Sequence, residues 1–168
     1  NADLLCFGEN VDDRERLFTQ VAATFLLTGY ATGYEGAEQR SMGFLHETLP
    51  EFNYSVDEMR EVESIMRDFF EGNFNKLHIQ CLADAYYQYY TSFNFLSDMR
   101  ALFLEQSYYF SIDNAHEWWQ RQQKSLKKYK PFTDTANYIA DINPHRQLRI
   151  ISYPPRQERM EEFLMKKA

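Results

Sequence analysis

The sequence predicts an all-α protein, folded as a helical bundle of about six to eight helices. Apolar residues recur at three- and four-residue spacing along most of the chain, which is the period of a helix with one buried face. Only 6 glycines and 5 prolines interrupt the 168 residues. A chain of this length can bury a core without disulfide or metal crosslinks.

The first predicted helix follows a poorly patterned lead-in at residues 1–11. Asp12 or Asp13 can cap its start, and Gly29 follows its end near Leu27. Its predicted buried stripe consists of Leu17, Val21 and Phe25. A loop over residues 28–35 then leads to a second helix over about residues 36–48, which Pro50 closes.

The third predicted helix has the clearest start signal in the chain. Ser55 supplies a capping hydroxyl, and Glu58, three residues later, completes a capping box. The helix is expected to run to about Phe70. Its predicted core residues are Val56, Met59, Val62, Met66 and Phe69.

The fourth and fifth predicted helices continue the apolar pattern after a break at Gly72. The fourth covers about residues 74–90, with Leu77, Cys81, Leu82 and Ala85 facing the core. The fifth covers about residues 93–106, with Phe95, Met99, Leu102 and Phe103 facing the core.

The last predicted helices are shorter or more polar. Ser111 or Asp113 can cap a sixth helix that contains a tryptophan pair. Thr133 begins a short seventh helix that Pro144 ends. We therefore expect a helical domain over residues 1–143 and an extension over residues 144–168 that carries a charged helix.

Three segments resemble a known family. Residues 22–30 read AATFLLTGY, which resembles the signature of the metal-dependent HD-domain phosphohydrolases, Ala-Ala-x-Phe-His-Asp-x-Gly-Tyr. Residues 49–55, LPEFNYS, resemble the link between helices in that family. The tryptophan-containing helix followed by Phe132 and Thr133 resembles its closing segment, so the resemblance covers about residues 17–141.

The resemblance implies that the metal ligands of the family are lost. Its His-Asp pair falls on Leu26 and Leu27, and its next histidine falls on Ala37. Its Asp-Ala-Asp step reads Leu82-Ala83-Asp84, so that only Asp84 keeps a carboxylate. Leucine and alanine offer no lone pairs to a cation. The resemblance therefore implies no catalytic residue, no metal and no cofactor.

The same register predicts what replaces the metal. Leu26, Leu27 and Leu82 are expected to fill the former site with hydrocarbon, which removes the cost of unpaired polar groups. Asp84 is expected to be a capping or hydrogen-bonded residue. His78 and Cys81 share a helical face as half of a zinc site would, but the chain holds no second cysteine pair.

Aromatic residues make up 17% of the chain, more than a core of this size requires. Four tyrosines within five positions surround the fourth predicted helix, which can bury only one stripe. An interface, core packing and base stacking on nucleic acid are the open interpretations. The candidate interface residues are Tyr86, Tyr87, Tyr89, Tyr90, Trp118 and Trp119.

Charge and composition narrow the classes of partner. A net charge of −7 argues against general nucleic-acid binding. No apolar stretch is long enough to span a bilayer. Two cysteines do not make a disulfide framework, so we expect a reducing intracellular compartment. A mitochondrial location is suggested only by analogy.

These observations lead to one functional hypothesis and two alternatives. The hypothesis is a non-catalytic structural subunit of a larger protein assembly, whose partners are other protein subunits. The first alternative is a nucleotide sensor with a polar pocket around Glu38 and Asp84. The second is a metal-dependent phosphohydrolase with an unrecognised site, such as a carboxylate cluster of Glu35, Glu38 and Asp84. The oligomeric state stays open.

Overall fold

The computed structural model of the chain describes residues 1–87, 95–110, 112 and 114–142. Eight α-helices, two 3-10 helices and no strand occur in these residues, so the predicted all-α fold class is confirmed. Several predicted features lie outside the described residues: Tyr89, Tyr90, the caps Ser111 and Asp113, the side chain of Phe95, Pro144 and the charged helix of the extension.

The helices follow one another with short connections. In chain order they are α1 (Ala2–Gly8), α2 (Asp13–Phe25), η1 (Thr28–Thr32), α3 (Ala37–Thr48), η2 (Leu49–Phe52), α4 (Val56–Phe70), α5 (Leu77–Tyr87), α6 (Phe95–Tyr109), α7 (Ala115–Lys128) and α8 (Asp134–Ile142), where η marks a 3-10 helix.

The chain divides into two compact units. The first consists of residues 1–86 and 132–136. The second contains the described residues between 87 and 131 and between 137 and 142. The domain expected over residues 1–143 thus contains more than one compact unit.

The core of the first unit is built by α2, α3, α4 and α5. In this unit α2 packs against α1 and α4, and α3 packs against η1, η2 and α4. The buried core residues are Phe18, Ala22, Leu26, Leu45, Leu49, Met59, Val62, Ile65, Met66, Ile79 and Leu82. The predicted core residue Val56 is exposed, since it occupies the first position of α4.

The buried face of α2 differs by one position from the predicted stripe. Phe18, Ala22 and Leu26 are buried, whereas Leu17 is exposed, and Val21 and Phe25 lie at the margin of the core. One residue along a helix turns the side chain by about 100°. Helix α2 has apolar residues at the positions of both the predicted and the observed stripe, so its sequence is compatible with either one.

The lead-in at residues 1–11 contains a helix that the sequence pattern does not reveal. Helix α1 buries Ala2, Leu5 and Cys6. Leu4 and Phe7 are exposed on its other side. Apolar residues on both sides of a seven-residue helix hide the helical period.

Gly29 is required for close packing and does not end α2 as predicted. It lies in η1, and α2 ends four residues earlier. A Cβ atom at Gly29 would lie 2.0 Å from the carbonyl oxygen of Ala37 and 2.6 Å from the amide nitrogen of Ser41. The Gly29 amide donates to Ser41 Oγ at 2.9 Å, and this hydroxyl donates to the Leu26 carbonyl at 3.2 Å.

The observed starts of α4 and α2 carry the polar caps that the sequence predicts. At α4 the Glu58 amide donates to Ser55 Oγ at 3.3 Å, and the Ser55 amide donates to the Glu58 carboxylate at 2.8 Å. The predicted capping box is therefore confirmed. Asp12 caps α2 by accepting from the Arg14 amide. Helix α7 is capped by Asn114, which accepts from two backbone amides, and not by Ser111 or Asp113 as predicted.

Helices α5 and α6 differ from their predicted bounds. Helix α5 begins at Leu77, which is exposed and not in the core as predicted. Helix α6 continues to Tyr109, three residues beyond its predicted end. The core of the second unit consists of Met99, Phe103, Ala115, Trp118 and Trp119.

Candidate functional site

The positions that match the metal ligands of the HD family lie in the first unit. Leu26, Ala37, Leu82 and Asp84 are buried, and Leu26 and Leu82 belong to the same hydrophobic core. Leu27 is 51% exposed, so the expectation that it fills the former site is wrong. Leu26 keeps helical geometry and turns inward, which directs its neighbour about 100° away.

Asp84 is the one carboxylate among these positions, and its oxygens already accept hydrogen bonds. The Phe132 amide donates to Oδ1 and Oδ2 at 3.0 and 3.1 Å. The Thr133 amide and hydroxyl donate to Oδ2 at 2.9 and 2.8 Å. The predicted hydrogen-bonded role of Asp84 is therefore confirmed.

This carboxylate fixes the start of α8 to α5. Thr133 directly precedes α8, and its Oγ1 accepts from the Ala136 amide at 3.3 Å. The Thr135 amide donates to Glu9 Oε1 at 2.6 Å, which adds a contact with the end of α1. Such a buried, charged acceptor holds a backbone segment in place, and this role requires no catalytic activity.

The residues at these positions do not fit the metal that members of the HD family bind. Leu26, Leu27, Ala37 and Leu82 carry no donor atom, and the Asp84 oxygens accept from Phe132 and Thr133. Across the described part of the chain, no group of three or more His, Cys, Asp or Glu side chains is placed to hold a metal ion. His78 contacts Glu15, with Nδ1 3.5 Å from Oε2.

Among the described residues, the cavity that Glu38 lines does not include Asp84, so the structure does not bring the two together as expected. Glu38 does line a surface cavity of about 470 Å³, together with Gln39, Met42, Arg67, Phe70 and Glu71. Asp84 is buried elsewhere in the unit, against Phe132 and Thr133. The single cation of the cavity, Arg67, is also paired with Glu63, so the charge of the lining does not favour an anionic nucleotide.

The two tryptophans predicted at an interface are core residues of the second unit. Trp118 and Trp119 are 2% and 3% exposed. The Trp118 indole N–H donates to Gln106 Oε1 at 2.7 Å, and its ring meets Phe103 edge to face at 5.1 Å. Their assignment to an interface is wrong, because an adjacent helix offers each ring apolar area within the unit.

The tyrosines at the end of α5 are only partly available. Tyr86 is 37% exposed, and its ring lies edge to face with Phe69 at 5.2 Å. Tyr87 is partly buried and packs against Tyr129, with ring centroids 5.5 Å apart. Of the predicted interface residues in the described part of the chain, Tyr86 presents the largest surface.

A second apolar surface, which was not predicted from the sequence, lies at the end of α6. We call it the α6 patch. Tyr108 is 83% exposed, and its ring meets Tyr109 edge to face at 4.9 Å. The signal was three consecutive aromatic residues, which one helix stripe cannot bury together. The α6 patch consists of Leu104, Tyr108, Tyr109 and Phe110.

Comparison with known proteins gives no further identification. No family model, no curated protein and no solved structure matches the chain. The similarity to HD-domain phosphohydrolases therefore depends on the motif residues alone. In the described ranges, no helix has the length and apolar character to cross a membrane.

Proposed function

We propose that this protein is a non-catalytic structural subunit, built on an inactivated HD-type fold, that binds other protein subunits in a larger assembly. The observation that carries the proposal is the α6 patch. Large apolar and aromatic side chains that are exposed on one subunit are typical of surfaces that become buried at the centre of a protein interface. Tyr108 is the most exposed aromatic side chain of this patch, at 83%.

The state of the former metal positions supports the non-catalytic part of the proposal. A hydrolytic metal site needs several donor groups that fix the ion and lower the pKa of its water. Here Leu26 and Leu82 contribute hydrocarbon to the core, and Asp84 holds backbone amides. This arrangement supports a structural role for the fold and not a catalytic one.

The location belongs to the same proposal. Cys6 and Cys81 are free thiols, which agrees with a reducing intracellular compartment. A mitochondrial complex is one candidate assembly, proposed by analogy alone.

The experiment compares the native size of the wild-type chain with that of a patch variant. Tagged full-length chains are expressed in the source cells, extracted in mild detergent and separated on a native gel, and co-migrating proteins are identified by mass spectrometry. The patch variant is Leu104→Ser with Tyr108→Ser. Its matched control is Phe52→Ser with Tyr138→Ser, which changes two residues that are 66% and 68% exposed elsewhere.

We expect the wild type and the control to migrate in one defined complex. The patch variant should leave the complex while it keeps its melting temperature, because its substituted residues are exposed. Migration of the wild type near its own 20.1 kDa would contradict the proposal. Phosphatase or phosphodiesterase turnover by clean protein with Mn²⁺ or Mg²⁺ would contradict its non-catalytic part.

A further inference from the structure

The lysine and arginine side chains of the first unit all have partners. Arg40 donates to three backbone carbonyl groups of the segment that precedes α3. The other cations of this unit form ion pairs with carboxylates, and they are Arg14, Arg16, Arg60, Arg67 and Lys76. The positive charge of the first unit is therefore neutralised within the unit itself.

Five cations on and just after the second half of α7 behave differently. All five are exposed, and none forms an ion pair or a side-chain hydrogen bond within the part of the chain that the structure describes. No acidic residue occurs between positions 118 and 133. Glu117 accepts from Asn114 Nδ2 at 3.4 Å. We call these five residues the α7 basic face: Arg121, Lys124, Lys127, Lys128 and Lys130.

The helix dipole accounts for only part of this charge. Lys127 and Lys128 lie in the last turn of α7, where the free carbonyl groups stabilise cations. Arg121 and Lys124 lie further from the end of the helix, where this effect has largely faded.

The spacing of the cations places them in a row. Arg121, Lys124 and Lys128 follow one another three and four residues apart, so they share one face of α7 over about 10 Å. Like charges at this spacing repel one another. A partner with complementary charge would relieve that repulsion.

The opposite side of α7 limits what kind of partner can bind. Trp118 and Trp119 are 2% and 3% exposed and belong to the core of the second unit. These rings are therefore not available for insertion into a bilayer or for stacking on nucleic-acid bases. The α7 basic face offers charge alone, which favours a partner that presents carboxylates.

We propose that the α7 basic face binds an acidic segment of a partner protein through ion pairs. This face is a second docking surface, and it rests on the proposed function only for the choice of a protein as partner. A run of Asp and Glu residues that spans about 10 Å supplies the complementary charge.

The composition of the face indicates how selective it is. Four of its five residues are lysines. An ammonium group acts as a point charge and lacks the planar fork with which arginine recognises one carboxylate geometry. The face therefore recognises charge density and tolerates different acidic sequences.

The experiment measures binding of the folded full-length chain to a fluorescein-labelled oligoglutamate peptide by fluorescence anisotropy at low ionic strength. The basic-face variant is Arg121→Gln with Lys124→Gln and Lys128→Gln. We expect its affinity for the peptide to be roughly tenfold lower than that of the wild type. The melting temperature should stay unchanged, because the three side chains are exposed.

The matched control removes the same amount of positive charge from the first unit. It carries Arg14→Gln, Arg60→Gln and Lys76→Gln, at side chains that are 62%, 69% and 57% exposed. We expect it to bind the peptide as the wild type does. The affinity of the wild type should fall as salt is added, because the Debye length shortens from about 10 Å at 0.1 M to about 3 Å at 1 M salt.

Three results would overturn the proposal. The basic-face variant could bind as tightly as the wild type. Both variants could lose affinity equally, which would show that net charge and not the α7 basic face controls binding. Vesicles of equal parts phosphatidylcholine and phosphatidylserine, or oligouridylate, could displace the labelled peptide at a lower anion concentration than unlabelled peptide does, which would assign the face to lipid or nucleic acid.

The peptide assay and the native gel test different claims. Peptide binding by a chain that migrates alone on the native gel would support the α7 basic face and contradict the proposed function. A chain that migrates in a defined complex but does not bind the peptide would overturn the α7 basic face and leave the proposed function in place.

Discussion

Asp84 and Thr133 are joined by two hydrogen bonds across 49 positions of sequence, from the Thr133 amide at 2.9 Å and from its hydroxyl at 2.8 Å. Both residues are buried. The donor set also includes the Phe132 amide. A charged acceptor strengthens such bonds, and the surrounding protein screens them less than water would. The residue that the HD resemblance marks as a former ligand therefore acts as an anchor.

The first prediction concerns the removal of this anchor. Asp84→Asn replaces one acceptor oxygen by an NH₂ group, which leaves buried amide donors without an acceptor. We expect the free energy of unfolding to fall by about 2–4 kcal/mol. Urea denaturation at neutral pH measures it. The control Asp57→Asn changes a side chain that is 86% exposed and should cost less than about 1 kcal/mol. Equal midpoints for the two variants would contradict the anchoring role.

The second prediction separates the two leucines at the end of α2. Leu26 is 3% exposed, whereas Leu27 is 51% exposed. Leu26→Asn loses core packing and buries an amide, so it should destabilise the fold by about 3–5 kcal/mol. Leu27→Asn should cost less than about 1 kcal/mol. Thermal unfolding of the two variants side by side gives the comparison. Similar losses would mean that both positions face the core.

Local signals in the sequence were sufficient for most helices. The capping box at Ser55 and Glu58 fixes the start of α4, because all its partners lie within one turn. Helix α1 was not predicted, since its seven residues are too few to show the helical period of apolar residues. The apolar pattern could not predict which of Leu26 and Leu27 is buried, because adjacent apolar residues fit either orientation of the buried stripe.

Contacts between distant positions were the least predictable part of the candidate site. The sequence marked Asp84 and Thr133 separately, but no local rule pairs two residues 49 positions apart. The burial of Trp118 depends likewise on α6, which supplies Phe103 and Gln106.

The third prediction uses two glycines of the first unit. Gly29→Ala would place a Cβ 2.0 Å from the Ala37 carbonyl oxygen, so η1 and α3 must separate. We expect a loss of about 3 kcal/mol or more. Gly43→Ala meets nothing within 4 Å in the interior of α3, and it should stabilise the protein by about 0.5–1 kcal/mol. Opposite shifts in the melting temperature are the expected result. A neutral Gly29→Ala would contradict the close packing.

The last prediction concerns pH and the buried His78. Burial lowers the pKa of this imidazole, with Lys76 acting in the same direction and with Glu15 and Asp68 acting against it. The unfolded chain therefore takes up a proton at a higher pH than the folded protein does. Stability is complete above the unfolded pKa, near 6.5, and falls as the pH drops below it. Urea midpoints measured between pH 7.5 and pH 5.5 should decrease for the wild type, over a range in which carboxylates titrate little.

The control for this prediction is the variant His78→Gln. It should show a smaller decrease in the urea midpoint between pH 7.5 and pH 5.5, whatever its midpoint at pH 7.5. An equally steep decrease in the variant would show that another group controls the pH dependence.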